Sequence, residues 1–184
     1  MYGLVHMGLR QMVTEHLGPS AWPRICDKCG IKSALILSAT EAFLDDDTFR
    51  LIKQSASEFD LSVNEFMEQF GLSWIRFVGR GKYASLLEAC GKDLGEFFEN
   101  VNTLHSSLAH VIPHARIGQF RVKEKGQEWI LLRYSASREN VEYFVRGLVK
   151  GVCEYLGLEC EITMVVQDPL ITEMLVKTRF KRAI

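Results

Sequence analysis

QFRVKEKGQEWILLRY, residues 119–134, holds the first strong β signal in the chain and marks where helices give way to a sheet. Gln119 to Val122 and Trp129 to Tyr134 are rich in β-favouring side chains, and Glu124 to Gln127 joins them around Gly126. Two such runs about a short glycine-containing turn predict a β-hairpin. Going on toward the C-terminus, Glu139 to Leu156 has helical periodicity and stops at Gly157. Glu161 to Val166 and Met174 to Phe180 then form a second strand pair around Asp168-Pro169. The pattern is β-β-α-β-β.

Toward the N-terminus the period changes at Pro113, and the first 112 residues read as helices. Leu4, Val5, Leu9, Met12 and Val13 recur at helical spacing until Gly18-Pro19. Trp22-Pro23 opens a short helix, and Asp45-Asp46-Asp47 supplies N-cap acceptors for another carrying Phe49, Leu51 and Ile52. Ser62 and Glu65 make a capping box ahead of Phe66, Phe70, Trp74 and Phe77. Asp93 with Glu96 opens a helix that runs to about Ile112. Helices followed by strands predict an α+β fold. It consists of a helical half, about 1–112, packed on a half with a four-stranded antiparallel sheet and one long helix, about 113–184. No linker divides them, so residues 1–184 read as one domain.

Hydrophobic residues make up 47% and charged residues 24%, a globular mix, and the formal net charge is -1. That balance gives no electrostatic footprint for nucleic acid or an anionic membrane. No apolar run approaches the roughly 18 residues that cross a bilayer, and no secretory leader is legible. A cytoplasmic protein is expected. Five cysteines, at 26, 29, 90, 153 and 160, are an odd, scattered set that fits a reducing compartment. Cys26-x-x-Cys29 lacks a second ligand pair at zinc-finger spacing, so two incidental thiols are the expected reading.

Two constellations stand out. In the helix from Leu94 to Ile112, Phe98, Val101, Leu108 and Ile112 form one apolar stripe, and His105 lies within it. A buried imidazole must satisfy two ring nitrogens, through a core hydrogen bond, a catalytic role or a metal. Burial statistics favour the first, and periodicity alone does not choose. Tyr134 and Arg138 share a face with position 136 if the chain stays extended. A guanidinium fork and a phenol suit a carboxylate-bearing ligand. The plainer alternative is a surface ion pair of Arg138 with Glu139 or Glu142. No acid–base pair or nucleophile elbow is legible, and His6, His16, His110 and His114 have no nucleophile partner. An enzyme is not expected.

Taken in order along the chain, these features resemble the haem nitric oxide/oxygen binding (H-NOX) family, which includes the haem domain of soluble guanylate cyclase. The likeness runs from Met1-Tyr2-Gly3-Leu4-Val5 through Phe70-Gly71 with Trp74 and Phe98-Glu99-Asn100 with Leu104-His105. It ends on Tyr134 and Arg138, the outer positions of the family's Tyr-x-Ser-x-Arg signature. The resemblance implies haem b between the halves, with His105 as the proximal iron ligand and Tyr134 and Arg138 clasping the propionates. It also implies haem contacts at Met1, Val5, Trp74, Phe144 and Leu148. Two positions depart from the family: its central serine is Ala136, and the proline 13 residues past the histidine is Gly118. The second departure implies a flatter haem or an altered response to ligand.

By the same resemblance the distal position that carries a tyrosine in oxygen-binding members is Phe144, which has no donor. A register one residue off would bring in Tyr143 instead, and Trp74 offers an indole N–H. The implied function is a nitric oxide sensor that also takes carbon monoxide. It would signal by release of the His105 helix to a separate histidine kinase, cyclic-dinucleotide enzyme or chemoreceptor. Two alternatives stand beside it. One is a binding module for another hydrophobic carboxylate; the other is a thiol redox regulator using Cys26 and Cys29, or Cys153 and Cys160.

Overall fold

The computed structural model describes residues 3–32, 42–80, 83–111 and 117–180. Among them α1 (Gly3–Leu17), α2 (Ala21–Lys28), α3 (Asp45–Glu58), α4 (Val63–Val78), α5 (Ala84–Glu88) and α6 (Leu94–Val111) precede the first strand. Strands β1 (Gln119–Lys125) and β2 (Trp129–Ser135) follow, then α7 (Glu142–Tyr155), β3 (Leu158–Asp168) and β4 (Ile171–Phe180). The sheet is antiparallel in the order β1-β2-β4-β3. The α+β architecture read from the sequence is therefore the observed one.

Local chemistry explains most boundaries. Gly18, at φ +84°, ends α1 in a conformation that costs glycine little. Ser62 Oγ accepts from the Glu65 amide at 3.3 Å while Glu65 Oε2 accepts from the Ser62 amide at 3.0 Å, the reciprocal cap expected of this pair. Asp93 Oδ1 accepts the Gly95 and Glu96 amides and starts α6. One expectation fails: Asp45, Asp46 and Asp47 do not cap α3. Leu44 is the N-cap, without a side-chain bond, and the aspartates occupy the first turn, where negative charge complements the helix dipole. The long helix also begins later than position 139, because the chain bends after β2 and Asn140 adopts a left-handed φ of 58°.

Two cores result. Leu9, Trp22, Ile52, Phe66 and Phe70 anchor one inside the helical half. Phe98, Leu132, Val145, Val149, Met174 and Val176 anchor the other, between α7 and the sheet. Helices α4 and α7 join the halves at a close crossing built on glycines. A Cβ on Gly71 would collide with the Phe144 carbonyl oxygen, and one on Gly147 with that of Glu68. Farther along, a Cβ on Gly151 would stand 2.8 Å from Ile75 Cβ. Glu68 also receives Arg146 and Lys150 across the crossing.

Candidate functional site

A cavity of about 210 Å³ opens where the two cores meet, walled by α1, α3, α4, α6, α7 and the start of the sheet. His105, Tyr134, Arg138, Val5, Trp74, Phe144 and Leu148 all line it. Residues some 140 positions apart in the chain are thus brought to one surface (Val5 and Leu148, for example). Met1 lies outside the described residues, as do Ile112 and the side chain of Leu108.

His105 is half-buried on α6, and α6 is tied to β1 at two points. One turn earlier, Asn102 clamps the Phe120 backbone: its Nδ2 donates to the carbonyl at 2.6 Å and its Oδ1 accepts the amide at 2.9 Å. His105 Nδ1 lies 3.3 Å from the Gly118 carbonyl oxygen, a contact that assigns the ring proton to Nδ1. Burial lowers the imidazole pKa, partly opposed by that carbonyl. The ring is therefore held neutral, and the lone pair falls on Nε2. A neutral imidazole oriented through its other nitrogen is the form that binds a metal.

Tyr134 sits on β2 beside this residue. Burial raises the phenol pKa, while the Arg138 charge and a backbone hydrogen bond from Gly118 pull it down. Its hydroxyl remains protonated and able to donate. The extended geometry expected through position 138 ends at Ser135, after which the chain bends. Ala136 packs on the sheet core and its amide donates to the Leu170 carbonyl at 2.7 Å, whereas Ser137 and Arg138 line the cavity. The ion pair of Arg138 is neither with Glu139 nor with Glu142: its Nε is 3.4 Å from Asp45 Oδ2, on α3. A contact between residues so distant in sequence leaves no local signal.

The opposite wall is aromatic. Phe144 lies 5.1 Å from Phe70 and 6.4 Å from Trp74, centroid to centroid. Tyr143 instead packs against the helical core and is absent from the cavity lining. Sequence reading missed Phe70, Met67 and Phe120 as lining residues, offered Ser135 or Ser137 as a substitute for the lost serine only if the strand end twists, and took Gly118 only as a departure; it is Ser137 that lines the cavity. Apolar periodicity marks the first three as buried without separating a cavity wall from a core.

The donor set fits a haem. An apolar cleft offers one imidazole nitrogen on α6, and a phenol, a hydroxyl and a guanidinium gather at its β2 end. Cys26 and Cys29 are not poised as thiolates. Cys26 is wholly buried, its pKa pushed up to about 12 chiefly by that burial, and burial also raises Cys29. Among the described residues no group of three or more His, Cys, Asp or Glu could hold a metal ion.

Comparison with known proteins places these features. The family model described as Haem-NO-binding matches residues 2–164. The soluble guanylate cyclase gcy-35 of Caenorhabditis elegans is 26% identical over 170 residues, 91% of this chain and 25% of that protein. The β-2 subunit of soluble guanylate cyclase from Rattus norvegicus is 28% identical over 102 residues, 55% of this chain and 15% of its own. The chain spans about a quarter of the first of these relatives. Among solved structures, an H-NOX protein from S. oneidensis in the Fe(II) state superposes with TM-score 0.87 at 13% identity, covering 99% of this chain and 98% of that one. An oxygen-binding H-NOX domain in its oxygen complex gives 0.80 at 18% identity, covering 99% and 96%.

Proposed function

This chain belongs to the haem-NO-binding (H-NOX) family of haem-based gas sensors related to soluble guanylate cyclase, and we propose that it binds haem b and senses nitric oxide. One observation carries the reading. The cavity holds a neutral imidazole whose Nδ1 is committed to Gly118, which leaves the His105 Nε2 lone pair for iron. Bound there, haem supplies a ferrous centre that takes diatomic gases.

The rest is done by the chain. Arg138 and Tyr134 donate to the propionates, and Ser137 supplies the hydroxyl that Ala136 cannot, since it is residue 137 that lines the cavity. Val5, Phe144 and Leu148 exclude water. Bound dioxygen carries partial negative charge and depends on distal donors, whereas nitric oxide needs them far less. Phe144 has none, and the Trp74 indole N–H is the one donor this aromatic wall holds. Nitric oxide and carbon monoxide are therefore the favoured ligands over dioxygen. Release of the His105 ring from bound haem would let α6 shift, making it the element that reports ligand binding.

The receiver in this proposal is a cytoplasmic partner: a histidine kinase, a cyclic-dinucleotide enzyme or a chemoreceptor. Among the described residues no helix is long and apolar enough to cross a membrane. Absorption spectra of the reduced, haem-reconstituted protein test the reading. A Soret band that shifts with nitric oxide and carbon monoxide but not in air is expected. A stable dioxygen complex overturns the selectivity, and the lack of any Soret band overturns haem binding.

A further inference from the structure

We propose that the backbone of Gly118 is the positioning element that ties the iron-ligating imidazole of His105 to the phenol of Tyr134, so that neither group moves alone. The inference rests on the haem reading above and adds a residue to it.

Gly118 lies in the short segment between α6 and β1, and its backbone engages both groups. Its carbonyl accepts from His105 Nδ1, and its Cα packs against the Tyr134 phenol so closely that no side chain fits between them. The surroundings require glycine for space rather than for backbone conformation, because Gly118 is not among the glycines with positive φ. A Cβ there would collide with Tyr134 Oη and Cζ and stand 2.7 Å from the Ser135 carbonyl oxygen. The segment is also fixed on its far side. Asn102 holds Phe120 by two hydrogen bonds, Phe120 pairs with Tyr134 in the β1–β2 register, and their rings lie 4.7 Å apart. α6, β1 and β2 are therefore pinned within a few residues of His105.

Two consequences follow from the chemistry. An imidazole that donates through Nδ1 is a stronger Nε2 ligand with a fixed ring plane. And a shift of α6 that carries the Gly118 carbonyl with it also moves the Gly118 Cα that packs against the Tyr134 phenol. The side chain that grips the cofactor edge thus responds to the side chain that grips its centre.

The test removes the histidine and returns its ring in pieces. His105→Gly protein is loaded with haem and titrated by its Soret band with 4-methylimidazole, which keeps a second N–H, and with 1-methylimidazole, which has none. A hydrogen bond to the Gly118 carbonyl predicts tighter binding of 4-methylimidazole by about 3- to 10-fold. Gly118→Ala in that background should erase the preference. Tyr134→Phe, which keeps glycine and removes only the oxygen, should reduce it and serves if the alanine variant does not fold. In haem-free protein with His105 intact, 15N NMR should show the ring protonated at Nδ1. Equal binding of the two imidazoles in a protein that holds haem overturns the inference and leaves the haem reading standing. A native spectrum of His105→Gly protein with no imidazole added overturns both.

Discussion

His6 and His105 are two imidazoles withdrawn from water on two helices, and they have opposite fates. His6, on α1, is wholly buried, bonds Thr48 Oγ1 through Nε2 at 2.8 Å and lies against the Phe43 ring at 4.3 Å. Its burial pulls the pKa down to about 4. Burial also lowers the His105 pKa, but its partner is a backbone carbonyl reached through Nδ1, and the ring borders open space. Both are neutral at physiological pH. His6 Nδ1 also has no hydrogen-bond partner, but only His105 borders the cavity, so burial and pKa do not separate a core histidine from a ligand. The open space beside the ring does.

The largest expected effect breaks that comparison on one side. His105→Ala should weaken haem binding by more than about 100-fold, beyond the 10- to 100-fold usual for partners behind a ligand, while its unfolding free energy changes little. Haem titration together with urea denaturation checks both halves. His6→Ala should do the reverse, keeping its Soret band and losing about 1–3 kcal/mol of stability as the buried Thr48 hydroxyl loses its His6 partner and keeps only the Leu44 carbonyl.

Acid sharpens the contrast. An ordinary histidine titrates near 6.5 in the unfolded chain, so between there and about 4 the unfolded state takes up the proton first. Stability that is full above pH 6.5 should therefore fall as the pH drops toward 4, by on the order of 3 kcal/mol at most. His6→Gln should flatten that slope in denaturation curves taken across the range.

A subtler change concerns the cavity wall. Phe144→Tyr places a hydroxyl among Phe70 and Trp74, and dioxygen binding should be stronger than in the parent protein in air-equilibrated spectra. The smallest effect is at the thiols. Cys160 is half-buried and its pKa is drawn down first of all by the Cys153 thiol, so it should react ahead of Cys26 and Cys29 with a thiol reagent on native protein. Mass spectrometry of partially labelled protein gives the order. First labelling at Cys26 would contradict the burial found there.

Local signals were readable in the sequence. The Ser62–Glu65 cap, the stop at Gly18 and the hairpin on either side of Gly126 each depend on neighbours a few positions away. The apolar stripe placed His105 on an inward face for the same reason. What was not readable depends on distant partners. Asp45 looked like a cap and turned out to be the partner of Arg138. Ser137 and Ala136 exchanged places because the chain bends after Ser135, a turn that alternation alone does not foresee. β3 and β4 run longer than their apolar cores suggest, since each is extended by pairing with the other over polar residues such as Glu159 with Arg179.

The glycine crossing of α4 and α7 has one more implication. Phe70 and Trp74 stand on one of these helices and Phe144 and Leu148 on the other, yet at Gly71 and Gly147 nothing but main chain separates the two rods. Main-chain contact does not compress, so the span across the cavity has a set width. Evolution, or an engineer, can repaint those walls with new side chains without the beams behind them shifting.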